Sequence, residues 1–233
     1  MEVEKLNNPT WYSLTETHKD FGIDYNGTKF YCPSYCPFGG FIIPDTTQSA
    51  IDTYAMLTNN FYVVGDKPNF NSTVRLNKEL VCNQMLLDKG IEIEICEHIT
   101  ELRTTKQMVD LFYLVNLVQP GYFKTKTAGL GSYYGIYKNE KLIAVTGERM
   151  KMNKYTEVSS VVTHPEHTGK GYAKQLLAYT SNKIIDEQKN PYLHVADTNI
   201  GAKLLYEKLG FRTRRKISFW NFVTNDNRKT TNR

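Results

Sequence analysis

An α/β layer fold around a mixed sheet is what this sequence predicts, and three observations predict it. A helical apolar pattern follows Thr100, a hairpin pattern spans 133–150, and a strand, a glycine-rich turn and a helix succeed one another from residue 155 on. The remaining elements fall into order around these.

In the first hundred residues, Asp45-Thr46-Thr47 offers helix caps ahead of Ala50, Ile51, Tyr54 and Leu57, an apolar face at helical spacing. A short strand at 61–64 follows. Ile91-Glu-Ile-Glu-Ile95 alternates strictly, which predicts a half-exposed strand with its isoleucines toward a core. With Thr100 as cap, Met108, Leu111, Phe112, Val115 and Val118 recur at helical period until Gln119-Pro-Gly121 stops the helix. A boundary near residue 100 is therefore expected, with an N-terminal α/β half at 1–100 and a second unit at 101–223. In that second unit, 133–138 and 141–150 read as strands joined at Asn139-Glu140, and 155–163 as a third strand rich in β-branched residues. A helix from Gly169-Lys-Gly-Tyr-Ala173 to about 186 carries Ala173, Leu176, Leu177, Thr180 and Ile184 on one face. A strand at 191–195, a helix from Asn199 ended by Gly210, and closing strands at 211 and 217–223 complete it. The polar tail 224–233 reads as disordered.

Composition excludes several classes. The chain has 233 residues, 40% hydrophobic and 23% charged, which is the range of a folded globular protein and not of a disordered or fibrous one. The longest nearly unbroken apolar run, 111–118, is far short of the ~20 residues of a membrane span. The N-terminus Met-Glu-Val-Glu-Lys is acidic where a signal peptide is basic and then apolar, so a cytoplasmic location is expected. Four cysteines are too few for a disulfide framework, and free thiols are the default. Cys32-x-x-x-Cys36 has neither a matching pair nor a His pair beside it, so no metal is expected there. Charge is unevenly spread: residues 1–100 hold 7 Lys and Arg against 13 Asp and Glu, net −6, while 101–233 are net +11. A cationic C-terminal part suits a polyanionic ligand, or is a lysine-rich solvated surface. The run Arg212-Thr-Arg-Arg-Lys216 lacks the aromatic set that stacks nucleobases, so a nucleic-acid partner is not expected.

The most informative segment is Val161-Val-Thr-His-Pro-Glu-His-Thr-Gly-Lys-Gly-Tyr-Ala173. A strand that ends in a glycine turn and feeds a helix directs unpaired amides and the positive end of a helix dipole at one spot, which favours a pyrophosphate. Gly169 and Gly171 let the backbone approach such a group without intervening Cβ atoms. It is neither a Walker loop nor a dinucleotide fingerprint. The second half of the pattern is Asn199-x-x-Ala-x-x-Leu-Tyr206-Glu-Lys-Leu-Gly-Phe211.

Together these two motifs resemble the GNAT superfamily of acyl-CoA-dependent N-acyltransferases over about 133–222, with every element in family order. More loosely, Asn8-Pro-x-Trp11, His18 and Pro37-Phe38 resemble the N-terminal half of a branch in which that half is a degenerate copy of the same fold. The resemblance implies a mixed, mostly antiparallel sheet flanked by helices, with acetyl-CoA as cosubstrate and no metal. It implies that Val161, Val162 and Thr163 run alongside the pantetheine arm. The turn Thr168, Gly169, Lys170, Gly171, Tyr172 and Ala173 would hold the pyrophosphate. Thr168 departs from the basic or glutamine residue that opens the family's turn, and Lys170 offers a charge in its place. Asn199 matches the side chain that meets the pantetheine arm, and Tyr206 the phenol near the thioester sulfur. An amine of pKa ~10.4 is mostly ammonium at neutral pH and needs a base before it can attack a thioester. Glu157, in the register of the family's catalytic glutamate, is the expected base, and Glu148 on the adjacent strand is the alternative. His164, His167 and His194 have neither ligand spacing nor a nucleophile partner and are expected to have structural or surface roles. The acceptor, a small-molecule or peptide amine, is expected in an aromatic pocket of Tyr122, Phe123, Tyr133 and Trp220. A non-catalytic acyl-CoA sensor is the competing reading, and neither membrane nor oligomeric partner is specified.

Overall fold

A computed structural model describes residues 2–225. In chain order the strands are β1 Gly22–Asp24, β2 Thr28–Tyr31, β3 Phe38–Phe41, β4 Asn60–Val64, β5 Val74–Leu86, β6 Ile99–Glu101, β7 Tyr133–Lys138, β8 Lys141–Lys151, β9 Tyr155–Thr163, β10 Asn190–Ala196 and β11 Arg212–Thr224. The helices are α1 Pro9–Thr15, α2 Thr47–Tyr54, α3 Thr105–Val118, α4 Tyr172–Asp186 and α5 Ile200–Lys208. All the strands join one mixed, mostly antiparallel sheet in the order β1-β2-β3-β4-β11-β5-β10-β9-β8-β7-β6. Only β3 with β4 and β10 with β9 run parallel.

Local sequence explains most of these elements. At the β7–β8 hairpin, Asn139 and Glu140 take φ of 48° and 62°, the left-handed pair that a two-residue turn requires. The α3 helix opens on a capping box. The Thr104 hydroxyl accepts from the Gln107 amide, and the Gln107 side chain accepts from the amide of Thr104, so the cap is Thr104 and not Thr100. Helices cover both faces of the sheet. Tyr133 packs with Leu111, Leu114 and Val115 of α3, whereas Tyr134, its neighbour on β7, packs with Tyr172 and Leu176 of α4.

Three expectations are corrected. The alternating segment Ile91-Glu-Ile-Glu-Ile95 is extended but not a strand. Its backbone bonds go to side chains of α4: Ile91 exchanges bonds of 2.8 and 3.0 Å with Asn182, and the amides of Cys96 and Glu97 donate to Gln175. The alternation still places Ile91 and Ile93 in a core with Leu177 and Ile184. A period of two specifies a two-faced extended chain, not a ladder partner. Leu57 lies beyond the end of α2 and is exposed, unlike Ala50, Ile51 and Tyr54. Of the tail expected from residue 224 on, Thr224 closes β11 and the Asn225 amide donates to Thr73 O at 3.0 Å; 226–233 lie outside the described residues.

The placement of β5 has the largest consequence. This 13-residue strand from the first hundred residues lies between β10 and β11, antiparallel to both. The strands from residue 101 on therefore do not form a continuous sheet by themselves, because β5 separates β11 from β10, and the acidic and basic parts share one ladder.

Candidate active site

The site is a fork in the sheet. β9 and β10 pair in parallel only from Asn190↔Tyr155 to Tyr192↔Glu157, after which β9 continues to Thr163 while β10 turns to β5 as its partner. A bulge sharpens the divergence. Val145 pairs Val162 and Gly147 pairs Ser159, so Ser160 and Val161 both stand opposite Thr146, and Ser160 takes φ of 52°. The extra residue turns Val158 and Val161, three positions apart, toward the same core beside α4 and α5. Val162 consequently faces the α3 side with Tyr133 and Val145.

Where β9 ends, a 3-10 turn at Pro165–His167 and two left-handed glycines lead into α4. Gly169 has φ of 75° and Gly171, the α4 N-cap, φ of 77°, and a Cβ on either would stand in open space. No side chain caps this helix end, so its first amides are available to an anion. The Thr168 hydroxyl donates to Pro165 O at 3.2 Å and braces the turn, with Lys170 exposed beside it. Open space at the glycines, free amides and a helix dipole fit a pyrophosphate.

Inside the fork lies a cavity of about 320 Å³. β9 contributes Glu157 to Val161, β10 contributes Leu193 to Ala196, and α5 with its cap contributes Tyr206 and Asn199. The first hundred residues also reach it through Phe38, Leu80 and Cys82. Asn199 Oδ1 accepts from the Ala202 amide at 3.2 Å and caps α5, which leaves its amide nitrogen for other partners. Tyr206 is buried, and burial alone pushes its phenol up to about 12, so it carries its proton at neutral pH. Cys82 is likewise held as a thiol, pushed up to about 12 chiefly by burial.

At the closed end of the fork the charges are densely paired. Glu157 Oε2 accepts from Arg149 Nε at 2.8 Å and, at 3.4 Å, from the Met150 amide. Its Oε1 accepts from Arg149 Nη2 and from His194 Nδ1, both at 2.8 Å. All four acceptor positions of the carboxylate are thereby used. Burial raises its proton affinity, but the Arg149 guanidinium and the His194 hydrogen bond outweigh that and hold it down to about 2. His194 Nε2 faces the side-chain amide of Gln84 at 3.1 Å, and Gln84 Oε1 accepts from Arg214. With the Gln84 side-chain nitrogen donating to Nε2, Nδ1 is the ring atom that donates to Glu157. Arg149 lies over the Phe38 ring at 4.6 Å.

Several sequence readings change here. His194, expected in a structural or surface role without a nucleophile partner, is buried and hydrogen-bonded to Glu157. The signal was its place on the strand beside β9, which only the sheet register reveals. Glu148 is fully buried but accepts from Lys151 Nζ at 2.7 Å and the Ser132 amide at 3.1 Å, away from the cavity lining. Of the expected aromatic pocket, Tyr122 and Phe123 line the cavity, but Tyr133 packs under α3. Trp220 faces the opposite side of the sheet, where its indole donates to Gly65 O at 2.9 Å, and Phe219 takes its place by strand alternation. His164 and His167, expected to lack ligand spacing, converge with Glu166: the ligand atoms of the three lie within 4.8 Å of one another, because a 3-10 turn eclipses i and i+3. The basic run at the start of β11 is engaged with protein. Arg212 pairs with Asp88, Arg214 and Arg215 both donate to Asn7, and Lys216 pairs with Asp197 at 2.8 Å.

Comparison with known proteins agrees with this geometry. The family described as FR47-like protein matches residues 133–220, the span from β7 into β11. A crystal structure titled a putative acetyltransferase of the GNAT family, from Novosphingobium aromaticivorans, is 25% identical. It superposes with a TM-score of 0.86 over 94% of this chain and 98% of its own. A GCN5-related N-acetyltransferase-like protein from Streptococcus suis (14% identity, TM-score 0.62, 96% and 97% coverage) shares the fold. So does a GCN5-related N-acetyltransferase from Kribbella flavida (11%, 0.61, 92% and 93%). No curated protein matches the chain by sequence.

Proposed function

For a chain that belongs to the GNAT superfamily, we propose N-acetyl transfer from acetyl-CoA to a primary amine by direct attack within a ternary complex. The observation that carries this reading is the fork between β9 and β10 opening beside the glycine turn. A free strand edge, 158–163, runs from a phosphate-binding helix end into a cavity lined by Asn199 and Tyr206. Such an edge binds an extended amide chain as an added strand, and a pantetheine arm is one. Val161 and Thr163 are the residues proposed to pair with it, and the amides from Gly169 to Ala173 to hold the pyrophosphate.

A thioester passes its acyl group when an amine lone pair attacks the carbonyl carbon and the carbon–sulfur bond breaks. The departing thiolate takes a proton from Tyr206, the proposed donor, whose phenol keeps its proton well above neutral pH, and the proton that the attacking nitrogen sheds on becoming an amide returns through solvent to the Tyr206 phenolate. Direct attack is preferred to a covalent intermediate because the cavity's one thiol, Cys82, is held protonated by burial. Glu157 is assigned a different role from the one its strand position suggested. A carboxylate held down to about 2 with every acceptor position filled is a poor proton acceptor. It is therefore proposed as a positioning residue for Arg149 and His194, with the acceptor arriving as its free amine.

Thiol release from acetyl-CoA in the presence of a panel of amines tests the reading. Amine-dependent release, with mass spectrometry showing the acetylated amine, is the expected result. Tight CoA binding without release from any amine would favour the sensor.

A further inference from the structure

We propose that Arg149 forms an anion subsite in the acceptor half of the cavity, so that the acceptor is an amine that also bears a carboxylate. The inference rests on the acyl-transfer reading of the same cavity, and it begins from hydrogen-bond accounting. A guanidinium carries five N–H donors. Glu157 takes one from Nε and one from Nη2, and neither the two on Nη1 nor the second on Nη2 has a protein acceptor among the described residues. These donors belong to a side chain that lines the cavity, and its long stem is otherwise enclosed.

Position and charge narrow the ligand. Glu157 fixes one edge of the guanidinium bidentately and Phe38 covers one face, so the unpaired edge is held in orientation before any ligand arrives. Glu157 is the sole carboxylate among the lining residues, and its oxygens are already occupied. An entering anion therefore meets no unpaired acid, and an entering second ammonium finds no free acid to hold it. The cavity thus selects against polyamines and simple alkylamines and for a ligand that accepts two or more N–H bonds. Phe38, Leu80, Tyr122, Phe123 and Phe219 give the acceptor region an apolar and aromatic wall, and the polar members there, Gln119 and Thr127, are uncharged. That lining fits the side chain of an apolar amino acid better than a sugar or a charged peptide. Donors held in a fixed orientation at the cavity wall and left without an acceptor penalise an analogue that lacks the matching group, which makes this a specificity device and not only a source of affinity.

The test uses the unaltered protein, with reaction products as probes, so that it does not depend on turnover. Calorimetry would compare N-acetylphenylalanine with N-acetylphenylalaninamide, with and without CoA present. At least tenfold tighter binding of the acid supports the subsite, and equal affinity, or binding of neither, overturns it. In thiol release, phenylalanine should exceed both its amide and phenethylamine at least tenfold in kcat/KM. Equal rates would overturn the subsite while leaving acyl transfer intact, and release from none would overturn acyl transfer while the calorimetry still decides the subsite. Because Arg149→Met alone strands Glu157 as a buried charge, the variant to use is Arg149→Met with Glu157→Gln. In that folded double variant the preference for the acid should fall to within about twofold of parity, and a preserved preference would place the anion contact elsewhere.

Discussion

Glu157 shows how one carboxylate can change role with its neighbours. As a strand residue it reads as a base; clamped by Arg149, His194 and the Met150 amide it reads as an anchor. Removing one member of a buried ion pair costs about 3–5 kcal/mol. Glu157→Gln is accordingly expected to lower the unfolding midpoint and to raise KM for the acceptor, with a defect that does not shrink as pH rises. An unchanged midpoint, with a kcat loss of about 100-fold that recovers in alkaline buffer, would restore Glu157 as the base. Tyr206→Phe should lower kcat by ~10²–10⁴-fold with CoA affinity within twofold of the parent, since the ring keeps its packing against Phe211. Acid sensitivity has a second residue-scale source in His18, buried against Ser13 and Tyr31, where burial holds its pKa down to about 4. Its folded form binds the proton less readily than the unfolded chain does. The stabilising contribution is therefore complete above pH 6.5 and is lost as pH falls through 4, and the Glu157 contribution, complete above about 4.5, is lost as pH falls toward 2. Urea titrations should show stability declining between pH 6.5 and 4, with a shallower slope in His18→Gln. An identical slope would remove His18 from the account.

Among the elements, the strand–turn–helix from β9 to α4 was the most legible. Gly171 sits at φ of 77° with nothing within reach of a Cβ, so the glycine answers to backbone conformation and not to packing, and under the proposed function it also leaves room for the pyrophosphate. Valine there is β-branched at a left-handed position and obstructs the amides; CoA affinity should fall at least tenfold, equivalent to about 1.4 kcal/mol. Calorimetry on a folded Gly171→Val variant checks it, and unchanged affinity would move the pyrophosphate elsewhere. Helix periods, caps and the Asn139-Glu140 turn were also readable, because each is decided within a few residues. Partnering was not. The segment 91–95 has a strand's alternation and no ladder, and Phe219 and Trp220 face opposite sides of β11 by alternation, so that which of them meets the cavity is set by how β11 sits between β4 and β5.

For the whole molecule, the decisive feature is β5 lying between β10 and β11. A fragment beginning near residue 101 would expose two unpaired strand edges where Leu76 to Leu86 now bond, and such edges promote aggregation. Expressed alone, it is expected to be insoluble or to lack a cooperative unfolding transition, whereas the intact chain should unfold as one unit. A soluble, cooperatively folding fragment would contradict that dependence. The net −6 half has no equivalent of the glycine turn, so titration should give one CoA per chain, and two equivalents would overturn the assignment of a single site.

The sequence by itself determined the layer class, most helices and strands, and the glycine turn that opens α4, since local spacing, capping chemistry and left-handed glycines act over short stretches of chain. The Arg149–Glu157–His194 cluster, the entry of Phe38, Leu80 and Cys82 into the cavity, and the fork between β9 and β10 were decided only in the tertiary structure. Each of these joins residues far apart in the chain through sheet order and register, and whether a carboxylate is a base or an anchor depends on which charges and donors that register brings within 3 Å of it.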